Sequence, residues 1–204
     1  MQIIFVHGMG RSPISAWPML RRLRKAGLKT NTFAYAVALE NFDSIVTRLQ
    51  ATLTSVAAAG HYRVVGHSLG GVLLRAAING LPSNVARPQH AYLLASPMQP
   101  SRIATWLKSN LAYRIATGDC GQLLGSTERM SKIQALAVPT TGIAGVRGIT
   151  GRFSPFGDEL NDGVVALSEV SAPWLSRSLQ FQEIHTLLPA SGQVAELILH
   201  DIGA

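Results

Sequence analysis

The chain has 204 residues, 47% of them hydrophobic and 14% charged. That is long enough for one domain with a core that needs no disulfide staples, and too aliphatic for a disordered protein. A single cysteine, Cys120, excludes an internal disulfide framework and any multi-cysteine zinc site, and the formal net charge of +7 brings an anionic partner into consideration.

The chain opens on Gln2–Val6, five residues that read as a strand and run directly into His7-Gly8-Met9-Gly10. Four to six apolar residues are too few for the hydrophobic region of a signal peptide, so the expected location is cytoplasmic. No run reaches the ~18 apolar residues of a membrane span. Residues 15–26 have helical spacing, with Trp17, Leu20, Leu23 and Ala26 on one face and Gly27 as the stop. This stretch carries much of the positive charge: Arg11, Arg21, Arg22, Arg24, Lys25 and Lys29 all precede the first acid, Glu40. No aromatic residues interleave with these cations as they would on a base-stacking surface, which argues against nucleic acid as a partner. A solvated helix face, or weak association with an anionic membrane surface, remains.

Residues 30–35 are rich in strand formers. A helix is predicted near 42–58, with Ile45, Leu49, Leu53 and Val56 inward. Residues 62–67 read as a strand and 69–78 as a helix, apolar almost all round and therefore buried. The next strand is predicted at 90–95. The stretch 97–134 is an irregular insertion with one short helix at 101–109, capped by Ser101. Strands are predicted at 139–146 and 179–184, and a helix with Ser191 as its cap closes the chain near 191–200. Strands alternating with helices give an α/β fold in a single domain, 1–204. Its sheet is mostly parallel, has about six strands, and carries helices on both faces. Sites in such sheets lie at the carboxyl ends of the strands.

The polar residues after the strands form one constellation. Gly66-His67-Ser68-Leu69-Gly70 joins a strand to a helix, the context of a nucleophile elbow, in which a strained turn exposes a serine at a helix N-terminus. The glycine-rich 7–10 loop is suited to an oxyanion hole, with the backbone N–H groups of Met9 and Leu69 as its two donors and His7 orienting the loop. In Phe156–Val165, Asp162 is the preferred carboxylate, with Asp158 and Glu159 as competitors. His185, at the end of the last predicted strand, is the general base. His61 and His90 stand at strand starts, His200 lies on the terminal helix, and His67 sits inside the elbow and is set aside. No cluster of residues has metal-ligand spacing, so neither metal nor cofactor is expected. Met9, Met98, Trp106 and Phe156 are candidates to line an acyl pocket, although Trp106 and Phe156 suit a core role equally well.

The order Ser68…Asp162…His185, with the His-Gly-Met-Gly start and the Gly-His-Ser-Leu-Gly elbow, resembles the α/β-hydrolases. More narrowly it resembles small, lid-poor bacterial lipases and esterases. Asn161-Asp162-Gly163-Val164-Val165 and Leu93–Pro97 carry the likeness further along the chain. The resemblance implies a minimal version of the fold and a serine hydrolase that cleaves a small-molecule ester or a lipid through an acyl-enzyme. A thioesterase, amidase or acyltransferase on the same triad, or a non-catalytic binding protein, are the alternatives.

Overall fold

The computed structural model describes residues 1–203. Its centre is a six-stranded, wholly parallel sheet of β1 (Gln2–Val6), β2 (Lys29–Phe33), β3 (Tyr62–His67), β4 (Ala91–Leu94), β5 (Thr140–Gly145) and β6 (Arg177–Phe181), in spatial order β2-β1-β3-β4-β5-β6. The helices between them are α1 (Trp17–Lys25), α2 (Phe42–Ala58), α3 (Leu69–Asn79), α4 (Arg102–Leu107), α5 (Leu111–Leu124), α6 (Thr127–Ser131), α7 (Leu167–Val170) and α8 (Gly192–Ile202). The six-stranded parallel sheet agrees with the sequence reading.

Successive strand side chains point to opposite faces, so each central strand serves two cores. Ile4, Val6 and Val64 pack with Ile45, Leu49 and Leu53 of α2 and Leu73 of α3. Ile3, Phe5 and Val65 pack with Met19, Leu20 and Leu23 of α1 and Val194 and Ile198 of α8. Burial on both faces is why these strands read as continuous apolar runs rather than alternating ones.

Several local expectations are corrected. Pro13–Ala16 is a 3-10 turn and the α-helix begins only at Trp17. Its inward face is Met19, Leu20 and Leu23, whereas Trp17 and Ala26 face out. The insertion holds three helices rather than one. Ser101, Asn110 and Ser126 each accept a backbone N–H at a helix start, and Gly118 breaks α5 with a positive φ of 54°. Ser191 makes no side-chain cap on α8. Strand β6 ends at Phe181, so His185 lies in the loop beyond it.

Candidate active site

Strand β3 ends at His67, and Ser68 adopts φ 52°, ψ −123° before α3 begins at Leu69. A non-glycine residue in this region is strained, and the surroundings must hold it there. The Ser68 N–H still donates to the Leu94 carbonyl at 2.8 Å, so its backbone prolongs the β3–β4 pairing. The turn closes because its neighbours lack side chains. A Cβ on Gly66 would lie 2.5 Å from the Gly71 Cα, and one on Gly70 would run into the Val6 and His7 carbonyls. Both clashes are with backbone, so neither can relax by a rotamer change.

The 7–10 loop lies against the elbow. A Cβ on Gly8 would come within 2.8 Å of His67 Nδ1 and 3.2 Å of Ser68 Cβ. The buried His7 ring stacks on Tyr35 (centroids 4.2 Å apart, planes 3° apart), and its Nδ1–H donates to the Gly8 carbonyl at 2.8 Å. The Tyr35 N–H donates to His7 Nε2 at 3.4 Å and the Tyr35 hydroxyl to the His7 carbonyl at 2.8 Å. Burial keeps His7 below the usual histidine pKa, consistent with a neutral ring that donates from one nitrogen and accepts at the other. Holding the Gly8 carbonyl also fixes the Met9 N–H, because the two point in opposite directions across a trans peptide.

His185 and Asp162 meet. His185 Nδ1 lies 2.7 Å from Asp162 Oδ2, with both side chains buried, and the His185 N–H donates to the Asp162 carbonyl at 3.0 Å. The other Asp162 oxygen, Oδ1, accepts the N–H groups of Val164 and Val165, each at 2.9 Å. Every polar atom of the carboxylate is thus engaged, and its free rotation is lost. The competitors are placed elsewhere. Glu159 pairs with Arg102 at 2.6 Å and accepts the Ser168 N–H, while Asp158 is exposed.

Three contributors were not legible in the sequence reading. His67 is wholly buried. Its Nε2–H donates to the His185 carbonyl at 3.0 Å, and the two imidazoles lie 4.7 Å apart, which brings the His185 loop beside the elbow. Burial first, and the facing His185 second, hold the His67 pKa well below the usual value; its Nδ1 has no partner. Asn161 is the second. Its amide donates to the Ile149 and Glu159 carbonyls and its oxygen accepts the Gly163 N–H, which brackets Asp162 between two fixed loops. Glu169 is the third. It is a buried carboxylate that accepts the Arg102 N–H at 2.5 Å and the Ala166 N–H at 2.6 Å, tying α4 to the segment after Asp162; desolvation raises its pKa. An Asn beside the Asp, or a Glu at a helix start, carries no sequence signal until its partners are known.

The proposed lining residues separate. Phe156 is 5% exposed and belongs to the interior, with the Arg102 guanidinium over its ring. Trp106 is 81% exposed and Met9 and Met98 are partly buried. Among the described residues no three His, Cys, Asp or Glu side chains gather closely enough to hold a metal ion, and no helix is long and apolar enough to cross a membrane.

Parallel strands, an elbow serine and a loop histidine held by a carboxylate define the class of hydrolases built on an α/β sheet. Residues 3–193 match the alpha/beta hydrolase family, and the chain belongs to it. Among solved structures, the metagenomic carboxyl esterase MGS0156 superposes with a TM-score of 0.75 at 14% identity, over 100% of this chain and 76% of that one. The lipase BlEst2 of Bacillus licheniformis, in its propeptide form, gives 0.70 at 19% identity, over 98% of this chain and 49% of that one. RedJ, a thioesterase of the prodiginine pathway in Streptomyces coelicolor, gives 0.61 at 14% identity, over 98% and 88%. The chain spans about half the length of the lipase and likewise of phospholipase PlaB from Legionella pneumophila. No curated protein matches by sequence.

Proposed function

We propose that the protein is a serine hydrolase of carboxylic esters, with Ser68 as nucleophile, His185 as general base and then general acid, and Asp162 as the group that orients and stabilises the imidazolium. The observation that carries this reading is the 2.7 Å contact of His185 Nδ1 with a fully engaged Asp162 carboxylate, in a loop hydrogen-bonded to the residue preceding Ser68. With Nδ1–H committed to the carboxylate, Nε2 carries the lone pair that can accept a proton.

Ser68 Oγ attacks the ester carbonyl carbon while His185 Nε2 takes the hydroxyl proton. The carbonyl electron pair moves to oxygen, where the N–H groups of Leu69 and Met9 stabilise it. Collapse expels the alcohol, protonated by His185. Water, deprotonated by the same nitrogen, then attacks the acyl-enzyme and releases the acid and Ser68. Leu69 opens α3, so its N–H is one of the donors a helix leaves unpaired and lies at the positive end of the helix dipole.

The test compares p-nitrophenyl esters, acyl-thioesters and anilides of matched acyl length. The expected result is kcat/KM highest on the esters and lost in Ser68→Ala. Thioesters hydrolysed as fast or faster would move the assignment to thioester cleavage.

A further inference from the structure

Two grooves open where the strands end, and they share the loop that leaves β5. One, of about 620 Å³, lies between Trp106 of α4 and Arg152 and Phe153 of the loop. The other, of about 240 Å³, has Arg147, Ile149 and Ile184 on its walls and borders His185 itself. Trp106 is 81% exposed, Phe153 84% and Ile149 76%. Large apolar side chains this bare, gathered on one loop and the helix that faces it, mark an interaction surface rather than a stray exposed residue.

The loop is not loose. The Gly151 N–H donates to the Gly157 carbonyl at 2.8 Å, the Ser154 N–H to the Gly151 carbonyl at 2.9 Å, and Asn161 holds Ile149. Phe153 is therefore presented at the tip of a braced turn, with the Arg152 guanidinium 4.6 Å above its ring. The charge is one-sided. Residues 98–118 and 144–157 together carry Arg102, Lys108, Arg114, Arg147 and Arg152 and no acidic residue. Arg102 is paired with Glu159, and among the described residues no carboxylate lies within ion-pair distance of the other four; Asp119, Asp158 and Glu183 lie next to these segments or nearby in the chain, and Asp119 is paired with Arg129.

We propose that this rim docks on an anionic lipid surface, with Trp106, Phe153 and Ile149 entering the headgroup region and Arg147 and Arg152 meeting lipid phosphates, so that the groove beside His185 faces the membrane. Aromatic and aliphatic side chains flanked by cations have the composition of interfacial anchors. A second copy fits poorly, because a two-fold contact would set these cations against themselves. The inference rests on the hydrolase reading for its purpose, but binding and hydrolysis are measured separately.

The experiment is flotation of the purified chain with vesicles of phosphatidylcholine alone and of phosphatidylcholine mixed with phosphatidylglycerol, alongside hydrolysis of a short soluble ester. Binding is expected to the mixed vesicles only and to weaken with added salt. Partition should fall about fivefold for each of Arg147→Ala and Arg152→Ala and about tenfold for Trp106→Ser with Phe153→Ser. Soluble-ester turnover by the Phe153→Ser and Arg152→Ala variants should equal that of the parent. No binding to mixed vesicles, binding untouched by these substitutions, or a dimer in sedimentation that these substitutions split would each overturn the docking. Vesicle binding without any ester hydrolysis would instead overturn the proposed activity and leave the docking standing.

Discussion

Asp162 holds the His185 ring and His67 its backbone carbonyl, and they make different predictions. Asp162→Asn replaces the acceptor of the His185 Nδ1 proton with a group that can donate, favouring the wrong tautomer. We expect kcat to fall about 10⁴-fold with the fold intact, while Asp158→Asn stays close to the parent. A dead Asp158→Asn beside an active Asp162→Asn would reassign the acid. His67 hydrogen-bonds the His185 carbonyl and lies beside its ring without reaching a reacting atom, so it is proposed as a positioning residue. His67→Leu should lower kcat roughly tenfold with little change in KM, and His67→Gln, whose amide can still donate to the His185 carbonyl, should recover most of it. Equal losses in both variants would point to packing alone. At this scale the candidate residues were legible because elbow serine, carboxylate and histidine each follow a strand in the order the resemblance implies, and the structure pairs two of them, Asp162 and His185. His67, Asn161 and Glu169 were not, since their roles consist of hydrogen bonds to backbone atoms more distant than any local pattern reaches.

Among the elements, β1 and β4 were written in short apolar runs, β2 in strand-forming Thr and Phe, and the helices in apolar residues at helical spacing punctuated by Gly27, Gly60 and the elbow. The insertion was harder. Gly118, Gly121 and Gly125 dilute the helical signal of α5, and its caps are single polar residues that also suit a loop. The end of β6 was misplaced because Phe181 and Ile184 continue the apolar character past the point where the chain turns and the Arg147 N–H meets the Glu183 carbonyl. Glu169 holds this region together through two buried N–H groups. Removing it in Glu169→Ala should destabilise the protein by about 3 kcal/mol, lowering Tm by roughly 5–10 °C in a calorimetric scan. An unchanged Tm would show that α4 is held by its other contacts. Gly70→Ala should be harsher still, because its methyl meets the backbone of β1.

At the scale of the whole molecule, the buried His7 and His67 predict a pH dependence of stability. His7 and His67 have pKa values depressed by burial, whereas in the unfolded chain they titrate near 6.5. Below that pH the unfolded state binds more protons, so the stability these neutral rings contribute, fully present above pH 6.5, is lost as pH falls. The slope is about 1.4 kcal/mol per pH unit for each ring that stays neutral. Glu169 works in the opposite sense: its raised pKa gives a contribution that is lost as pH rises through its native value. Urea unfolding at pH 7.5 and 5.5 should therefore show a lower midpoint at 5.5, and His67→Gln should reduce the difference. A midpoint independent of pH would mean that these rings are protonated in the native state. The sheet that buries them also sets Ser68, the His185 loop and the glycine loop at the carboxyl ends of its strands.

The most direct test of that geometry is labelling with a fluorophosphonate, which needs an activated serine beside a competent base. We predict one covalent adduct per chain, located on Ser68, absent from Ser68→Ala and strongly slowed in His185→Ala. A folded parent chain that takes no label, or a label that persists in Ser68→Ala, would contradict the account.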